Sequence, residues 1–224
     1  MTSRPMRSGR PKRVGWRRAA DRPSLLVEVA IPEGALVVLI GVAGSGKSTF
    51  AARHFHPDEV LSSDAFRGIV GEGEWDQAVS RPAFAALHRA LDRRLSAGRT
   101  SVVDATNVTD WSRGVLLARA RSSSRPALAV VFDLPLAVCL EQNAERGGSG
   151  RGVPPFAIRR QYRELGRSLR DPAGLLHEGF EEVYRLRSRS EVEAVHVVRS
   201  GPTSGASGLL PFAAATERED PSEA

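Results

Sequence analysis

An α/β fold, a parallel sheet covered by helices on both faces, is predicted by three observations on this 224-residue chain. The apolar runs at 35–40, 60–61, 101–103, 127–132 and 195–198 are continuous rather than alternating, as strands buried on both faces require. The stretches between them carry apolar residues at helical spacing, the βαβ order that makes a parallel sheet. The run at 35–40 feeds directly into Gly41-Val42-Ala43-Gly44-Ser45-Gly46-Lys47-Ser48-Thr49, and Phe50-Ala51-Ala52-Arg53 follows, so the chain reads strand, glycine loop, helix. That order, with the spacing G-x-x-x-x-G-K-S, is the P-loop pattern.

The elements follow in order. Residues 1–22 hold eight basic side chains against Asp21, a net +7, and read as a basic disordered leader. Residues 23–199 form one folded domain with a net charge of only +2. The overall +6 therefore resides in the leader, and the domain's charge by itself does not predict a nucleic-acid partner. A strand at 25–30 and the turn Pro32-Glu33-Gly34 lead into the strand before the glycine loop. Phe84, Leu87, Leu91 and Leu95, with Arg89, Asp92 and Arg93 between them, predict an amphipathic helix over 82–96 with Pro82 in its first turn. Val115, Leu116 and Ala120 carry a second helix. Ile158, Tyr162, Leu165 and Leu169 carry a third, and Arg159, Arg163, Arg167 and Arg170 line its opposite side, either as a solvated face or as a surface for phosphate. Residues 200–224, rich in Gly, Ser, Pro and Ala with a net charge of −3, read as a disordered acidic tail.

The single cysteine, Cys139, sits in the apolar run Ala137-Val138-Cys139-Leu140, reads as core, and excludes a disulfide framework. No stretch approaches the ~18 apolar residues of a membrane span, and the basic N-terminus has no apolar run after it as a secretion signal would. The expected partners include no membrane, and the expected location is cytoplasmic.

The glycine loop carries the first chemistry. Gly41, Gly44 and Gly46 adopt positive φ at little cost, so the backbone amides of Gly41, Ala43, Gly44, Ser45, Gly46, Lys47, Ser48 and Thr49 are candidates to close around the phosphates of ATP. Lys47 reaches the β and γ phosphates, and the Ser48 hydroxyl holds Mg²⁺. Only Lys12 and Lys47 among the 32 basic residues are lysines. The domain's one lysine thus stands where a compact ammonium on a flexible stem is needed.

Ligands of open parallel sheets lie beyond the carboxyl ends of the strands. There the chain has Ser62-Ser63-Asp64-Ala65-Phe66-Arg67, Asp104-Ala105-Thr106-Asn107 and Asp133-Leu134-Pro135. A kinase needs a carboxylate near the metal to accept a proton from the attacking hydroxyl, and Asp64 is placed for it, unless it only caps a helix beginning at Ala65. Arg67, one helical turn on, either offers a guanidinium fork to an acceptor phosphate or pairs with Asp64. Asp104 either helps hold the metal through water or anchors the next turn. Ser48, Asp64 and Asp104 are the candidate Mg²⁺ residues.

These pieces, with Asp76-Gln77, Ala83-Phe84, Leu87-His88, Arg94-Leu95 and Glu178-Gly179-Phe180, stand in an order and spacing specific to one family. Over about residues 34–199 the chain resembles the polynucleotide 5′-hydroxyl kinase domain of bacterial RNA-repair polynucleotide kinase-phosphatases. The resemblance implies a P-loop kinase sheet with a mobile helical lid after the fourth strand. It also implies transfer of the ATP γ phosphate to a 5′-OH end of RNA or DNA, with Asp64 as general base and Arg67 on the phosphate after the acceptor nucleoside.

Two departures stand against that pattern. The family's lid carries Arg-Asn-x-x-Arg, whereas this chain has Gln142-Asn143-Ala144-Glu145-Arg146, followed by Gly147-Gly148-Ser149-Gly150-Arg151. Arg146 is the expected clamp on the nucleotide, and Arg146 or Arg151 is expected to compensate for Gln142. Related proteins also often carry phosphatase and ligase domains after the kinase, so a separate phosphatase or ligase is the expected partner. Trp75 either stacks on an acceptor base or covers the core. The resulting expectation is an ATP- and Mg²⁺-dependent phosphotransferase acting on nucleic acid 5′-OH ends. Its alternatives are a small-molecule P-loop kinase and an ATP-binding regulatory protein with weakened catalysis.

Overall fold

The computed structural model describes residues 27–70, 77–147 and 152–201. Its strands are β1 (Val27–Pro32), β2 (Leu36–Gly41), β3 (Val60–Ser62), β4 (Ser101–Asp104), β5 (Ala127–Phe132), β6 (Glu182–Leu186) and β7 (Val195–Ser200). The helices are α1 (Lys47–His54), α2 (Ser63–Val70), α3 (Gln77–Ser96), α4 (Asp110–Ser122), α5 (Leu136–Gly147), α6 (Pro155–Ser168), α7 (Gly174–Glu178) and α8 (Arg189–Glu193). A 3₁₀ turn at Pro57–Glu59 leads into β3.

Five strands form one all-parallel sheet in the order β3-β4-β2-β5-β6. Every residue of β2 and β5, and of β4 beside β2, is buried, which is why these strands read as unbroken apolar runs. Helices cover both faces, and Leu36, Leu39, Ile40, Leu87, Leu91, Leu95, Leu117, Leu128 and Phe132 lie fully buried among them. The first and last expected strands do not join this sheet. β1 and β7 pair with each other as a separate two-stranded parallel sheet, from Val27 opposite Val195 to Pro32 opposite Ser200. The Tyr184 hydroxyl of β6 links the two sheets by accepting from the Ala30 amide at 3.2 Å.

β6 has no counterpart among the expected strands. Its sequence Glu182-Val183-Tyr184-Arg185-Leu186 alternates because it is the edge of the sheet, buried on one side only. The helix expected over 82–96 starts at Gln77, so Pro82 lies inside it rather than in its first turn. The expected leader, the acidic tail beyond residue 201, Trp75 and Arg151 lie outside the described residues. Among the described residues no helix is long and apolar enough to cross a membrane. Cys139 is fully buried, and burial pushes its thiol up to about 11, so it is core and not a nucleophile.

Candidate functional site

The loop between β2 and α1 is built by close approach. Gly41 has no room for a side chain, because a Cβ there would lie 2.8 Å from Ser45 Oγ and 2.9 Å from Phe132 Cβ. Gly44, at φ +78°, packs on α5, where a Cβ would come within 2.2 Å of the Cys139 carbonyl oxygen. Gly46, at φ +90°, turns the chain into α1 with open space around it. The first-turn amides of α1 have no helical acceptor four residues back, and they converge here with the positive end of the helix dipole.

Three expected phosphate-binding positions are used inside the protein. The Gly41 amide donates to the Thr106 carbonyl at 2.9 Å, the Ala43 amide to Gln161 Oε1 on α6 at 2.9 Å, and the Ser45 amide to the Val42 carbonyl at 3.2 Å. The candidate anion donors are thereby narrowed to the amides of Gly44 and of Gly46 to Thr49.

Lys47 is 7% exposed and folds back on its own loop, donating to the Val42 carbonyl at 2.8 Å and to Ser45 Oγ at 3.3 Å. Burial lowers its pKa from the usual 10.5 to about 8, partly offset by the carboxylates of Asp104 and Asp64. Asp104, at the end of β4, is 6% exposed. Burial raises its pKa, while a hydrogen bond from the Ser48 hydroxyl and the Lys47 charge oppose the rise. β4 lies beside β2 with Asp104 paired to Leu39, which sets this carboxylate against the root of the loop. Of its two expected roles, the bond to Ser48 favours the one beside the metal.

Asp64 comes from β3's side. α2 begins at Ser63, and the Ala65 amide reaches Ser62 Oγ at 3.5 Å, so Ser62, not Asp64, stands at the cap. The exposed Asp64 carboxylate lies near enough to Lys47 and Asp104 to act on the pKa of both. Arg67 is on α2 one turn further. Arg146, in the last turn of α5, also feels Lys47 and Asp104. The structure thus brings Lys47, Ser48, Asp64, Asp104 and Arg146 to one end of the sheet.

Beside this cluster a pocket of about 310 Å³ runs along α1, lined by Ser45, Gly46, Thr49, Arg53, Leu134 and Arg146 among others, and closed by α5 and α8. Gln142 is part of its wall. With its amide turned to satisfy both ends, its nitrogen donates to the Gly44 carbonyl and its oxygen accepts from Arg189 Nε at 3.0 Å. Asn143 ties α5 to the residues just before α6, donating to the Val153 carbonyl and accepting from the Val153 amide, both at 2.8 Å.

These residues fit a nucleoside triphosphate with Mg²⁺. The cradle is left open by glycine, the donors are amides and a buried ammonium, and the metal-side groups are a hydroxyl and a carboxylate already joined. Among the described residues no cluster of three or more His, Cys, Asp or Glu forms a metal site. Mg²⁺ in such a loop needs none, because phosphate oxygens and waters complete its shell.

The sequence reading missed a second network. Arg113 on α4 is fully buried, pairs with Glu178 through two bonds of 2.7 and 2.6 Å, and donates to the Asn107 carbonyl at 3.0 Å and to Ser168 Oγ at 3.1 Å. Asn107, at φ +47°, donates from its side chain to the Leu39 carbonyl at 2.9 Å. The loop after Asp104 is thus pinned to β2, α6 and α7 together.

A family model described as an AAA domain matches residues 36–172, more than half of the chain. The chain belongs to that family. Its fold is that of the P-loop kinases. It is similar to a chain in the structure of a Pnkp1/Rnl/Hen1 RNA repair complex, with a TM-score of 0.55 and 23% identity over 62% of this chain and 46% of that one. It is also similar to Chaetomium thermophilum Kti12 in complex with ADP-AlF3, with a TM-score of 0.51 and 17% identity over 70% of this chain and 93% of that one. This chain therefore spans less than half the length of the first. No curated protein matches.

Proposed function

We propose that the protein is an ATP-dependent phosphotransferase whose acceptor is the 5′-OH end of RNA or DNA. The observation that carries this reading is the convergence of two carboxylates, Asp64 and Asp104, on the loop lysine from strands β3 and β4. One carboxylate is buried against Ser48, and the other is exposed toward an incoming hydroxyl. The similarity to a chain of an RNA repair complex, and the order of the sequence motifs, support the choice of acceptor.

When bound, ATP supplies the γ-phosphoryl group and Mg²⁺ offsets its charge. The amides of Gly44 and of Gly46 to Thr49 bind phosphate oxygens, and Lys47 exchanges the Val42 carbonyl for them. Ser48 would hold Mg²⁺ through its hydroxyl oxygen, and Asp104 would steady that hydroxyl by accepting from it. Asp64 takes the proton from the attacking 5′-hydroxyl as that oxygen bonds to the γ phosphorus and the bond from that phosphorus to the β,γ-bridging oxygen breaks, so that ADP leaves. Arg67 holds the next phosphate of the acceptor, and Arg146 clamps the nucleotide.

The test is label transfer from γ-labelled ATP with Mg²⁺ to 5′-OH RNA and DNA oligonucleotides and to a sugar, using the wild type and Asp64→Ala. The expected result is transfer to oligonucleotides by the wild type, and transfer at least about a hundredfold slower by the variant with nucleotide binding kept. Transfer to the sugar alone would overturn the acceptor, and equal transfer by the variant would overturn the base. A second reading, nucleotide binding without turnover, is favoured by Gln142, whose neutral amide is engaged with Gly44 and Arg189 at the family's arginine position. ATP binding with no transfer to any acceptor would establish it.

A further inference from the structure

The residues that follow β6 escaped the strand-end reading, because β6 itself has no counterpart among the expected strands. β6 runs parallel to β5, and its last residue, Leu186, accepts from the Asp133 amide at 2.8 Å. The chain therefore leaves β6 at the end of the sheet where the glycine loop stands. The turn beyond is fixed by two bonds: the Arg187 amide donates to Glu191 Oε2 at 2.6 Å, and Ser188 Oγ accepts from the Glu191 amide at 3.1 Å. Arg189 is thereby set as the first residue of α8.

Two further bonds aim its side chain. Arg189 Nε donates to the Gln142 side-chain oxygen at 3.0 Å, and the Gln142 nitrogen donates to the Gly44 carbonyl, so a single amide group separates the guanidinium from the loop. Arg189 Nη2 donates to Glu141 Oε2 at 3.0 Å, while Nη1 has no partner among the described residues. Arg189 lines the pocket onto which Ser45, Gly46 and Thr49 open. The charges of Arg189 and Lys47 both act on buried Cys139, the residue against which Gly44 packs. In the same pocket wall Arg53, Arg146 and Arg189 stand against Glu145 and Glu193, an excess of positive charge that suits an anion. A surface ion pair would account for Glu141, which is 66% exposed, but it would need neither the Gln142 amide nor the pocket.

We propose that Arg189 binds the phosphate chain of the nucleotide beyond the α phosphate, with Gln142 as its positioning residue. A guanidinium fork matches phosphate oxygens, and a neutral amide orients that fork without cancelling its charge, as a second carboxylate would. Gln142 then marks a cation delivered from α8 rather than one lost from α5. The inference rests on the nucleotide reading of the glycine loop and adds a binding residue to the proposed phosphotransferase site.

The test titrates ATP with Mg²⁺, and separately AMP, into the full chain by calorimetry, beside transfer kinetics to a 5′-OH oligonucleotide. For Arg189→Gln the Kd of ATP should rise about tenfold or more and that of AMP less than about threefold, with the KM for ATP rising in step. Gln142→Leu should weaken ATP binding about threefold or more, and the double variant should lose less than the product of the two single losses. Glu141→Gln, which removes only the exposed partner, should leave the Kd of ATP within about twofold. Far-UV circular dichroism checks folding, and Arg189→Lys, which keeps the charge but loses the fork, should fall between the wild type and Arg189→Gln.

An ATP Kd that Arg189→Gln leaves unchanged, equal losses for ATP and AMP, or a loss that Glu141→Gln reproduces in full overturns the assignment. Losses from Arg189→Gln and Gln142→Leu that simply multiply overturn the positioning role. ATP binding that depends on Arg189, with no transfer by the wild type to any acceptor, keeps the assignment and removes the phosphotransferase reading. Transfer by the wild type with an ATP KM indifferent to Arg189→Gln keeps that reading and removes the assignment.

Discussion

Lys47 carries a cost that its function explains. Its pKa of about 8, against 10.5 in an open chain, means that the folded protein holds this proton less firmly than the unfolded one. Stability of the ligand-free protein should therefore rise as pH climbs from about 8 toward 10.5, since the unfolded chain keeps a proton the folded chain has released. Below that window the buried ammonium is a standing penalty of about 3 kcal/mol on the same scale. Lys47→Met should abolish nucleotide binding, stabilise the apo protein by up to about 2 kcal/mol at pH 7 in urea unfolding, and flatten that alkaline rise. An apo variant less stable than the wild type would remove this account.

At the scale of elements, the side chain of Asn143 ties α5 to the residues that lead into α6. Asn143 is 7% exposed, and both ends of its amide are bonded to the backbone of Val153. Asn143→Ala leaves two backbone groups without that partner. It should lower stability by about 1–3 kcal/mol in thermal unfolding and speed tryptic cleavage after Arg146. Unaltered cleavage would mean that packing alone holds α5 against α6.

Most of this architecture was legible in the sequence, for a physical reason. Strands β2, β4 and β5 are buried on both faces and therefore wrote themselves as apolar runs, and the glycine loop is a local pattern whose spacing is its mechanism. The edge strand β6 alternates and was lost among helical patterns, and the pairing of β1 with β7 joins residues far apart in sequence. Pro82 inside α3 broke the usual rule that proline marks a helix start. In the candidate site, Lys47 and Ser48 are legible in the glycine-loop spacing, and Asp64 and Asp104 in the polar residues that follow the apolar runs of β3 and β4. The internal use of the Gly41 and Ala43 amides depends on partners at Thr106 and Gln161 that no local pattern predicts.

The whole molecule is braced by a residue that composition rules would have put on the surface. Arg113, with 0% exposure, joins α4, α6, α7 and the loop after β4 through Glu178, Ser168 and Asn107. A buried guanidinium left without its carboxylate is costlier than the pair is worth. Glu178→Gln should therefore destabilise the fold by about 3 kcal/mol, and Arg113→Met/Glu178→Leu by less than the two single changes summed, both read from urea denaturation. Additive losses would show that the two side chains act independently.

The hydrogen bond from Ala43 to Gln161 makes the phosphate loop and helix α6 parts of one linked equilibrium. Any shift of α6 changes the free energy of the loop, and by reciprocity whatever bias a bound nucleotide places on α6, a shift of α6 places on nucleotide affinity. Gln161→Leu, which leaves the Ala43 amide without this acceptor, should weaken that linkage and change the Kd of the nucleotide with the fold kept.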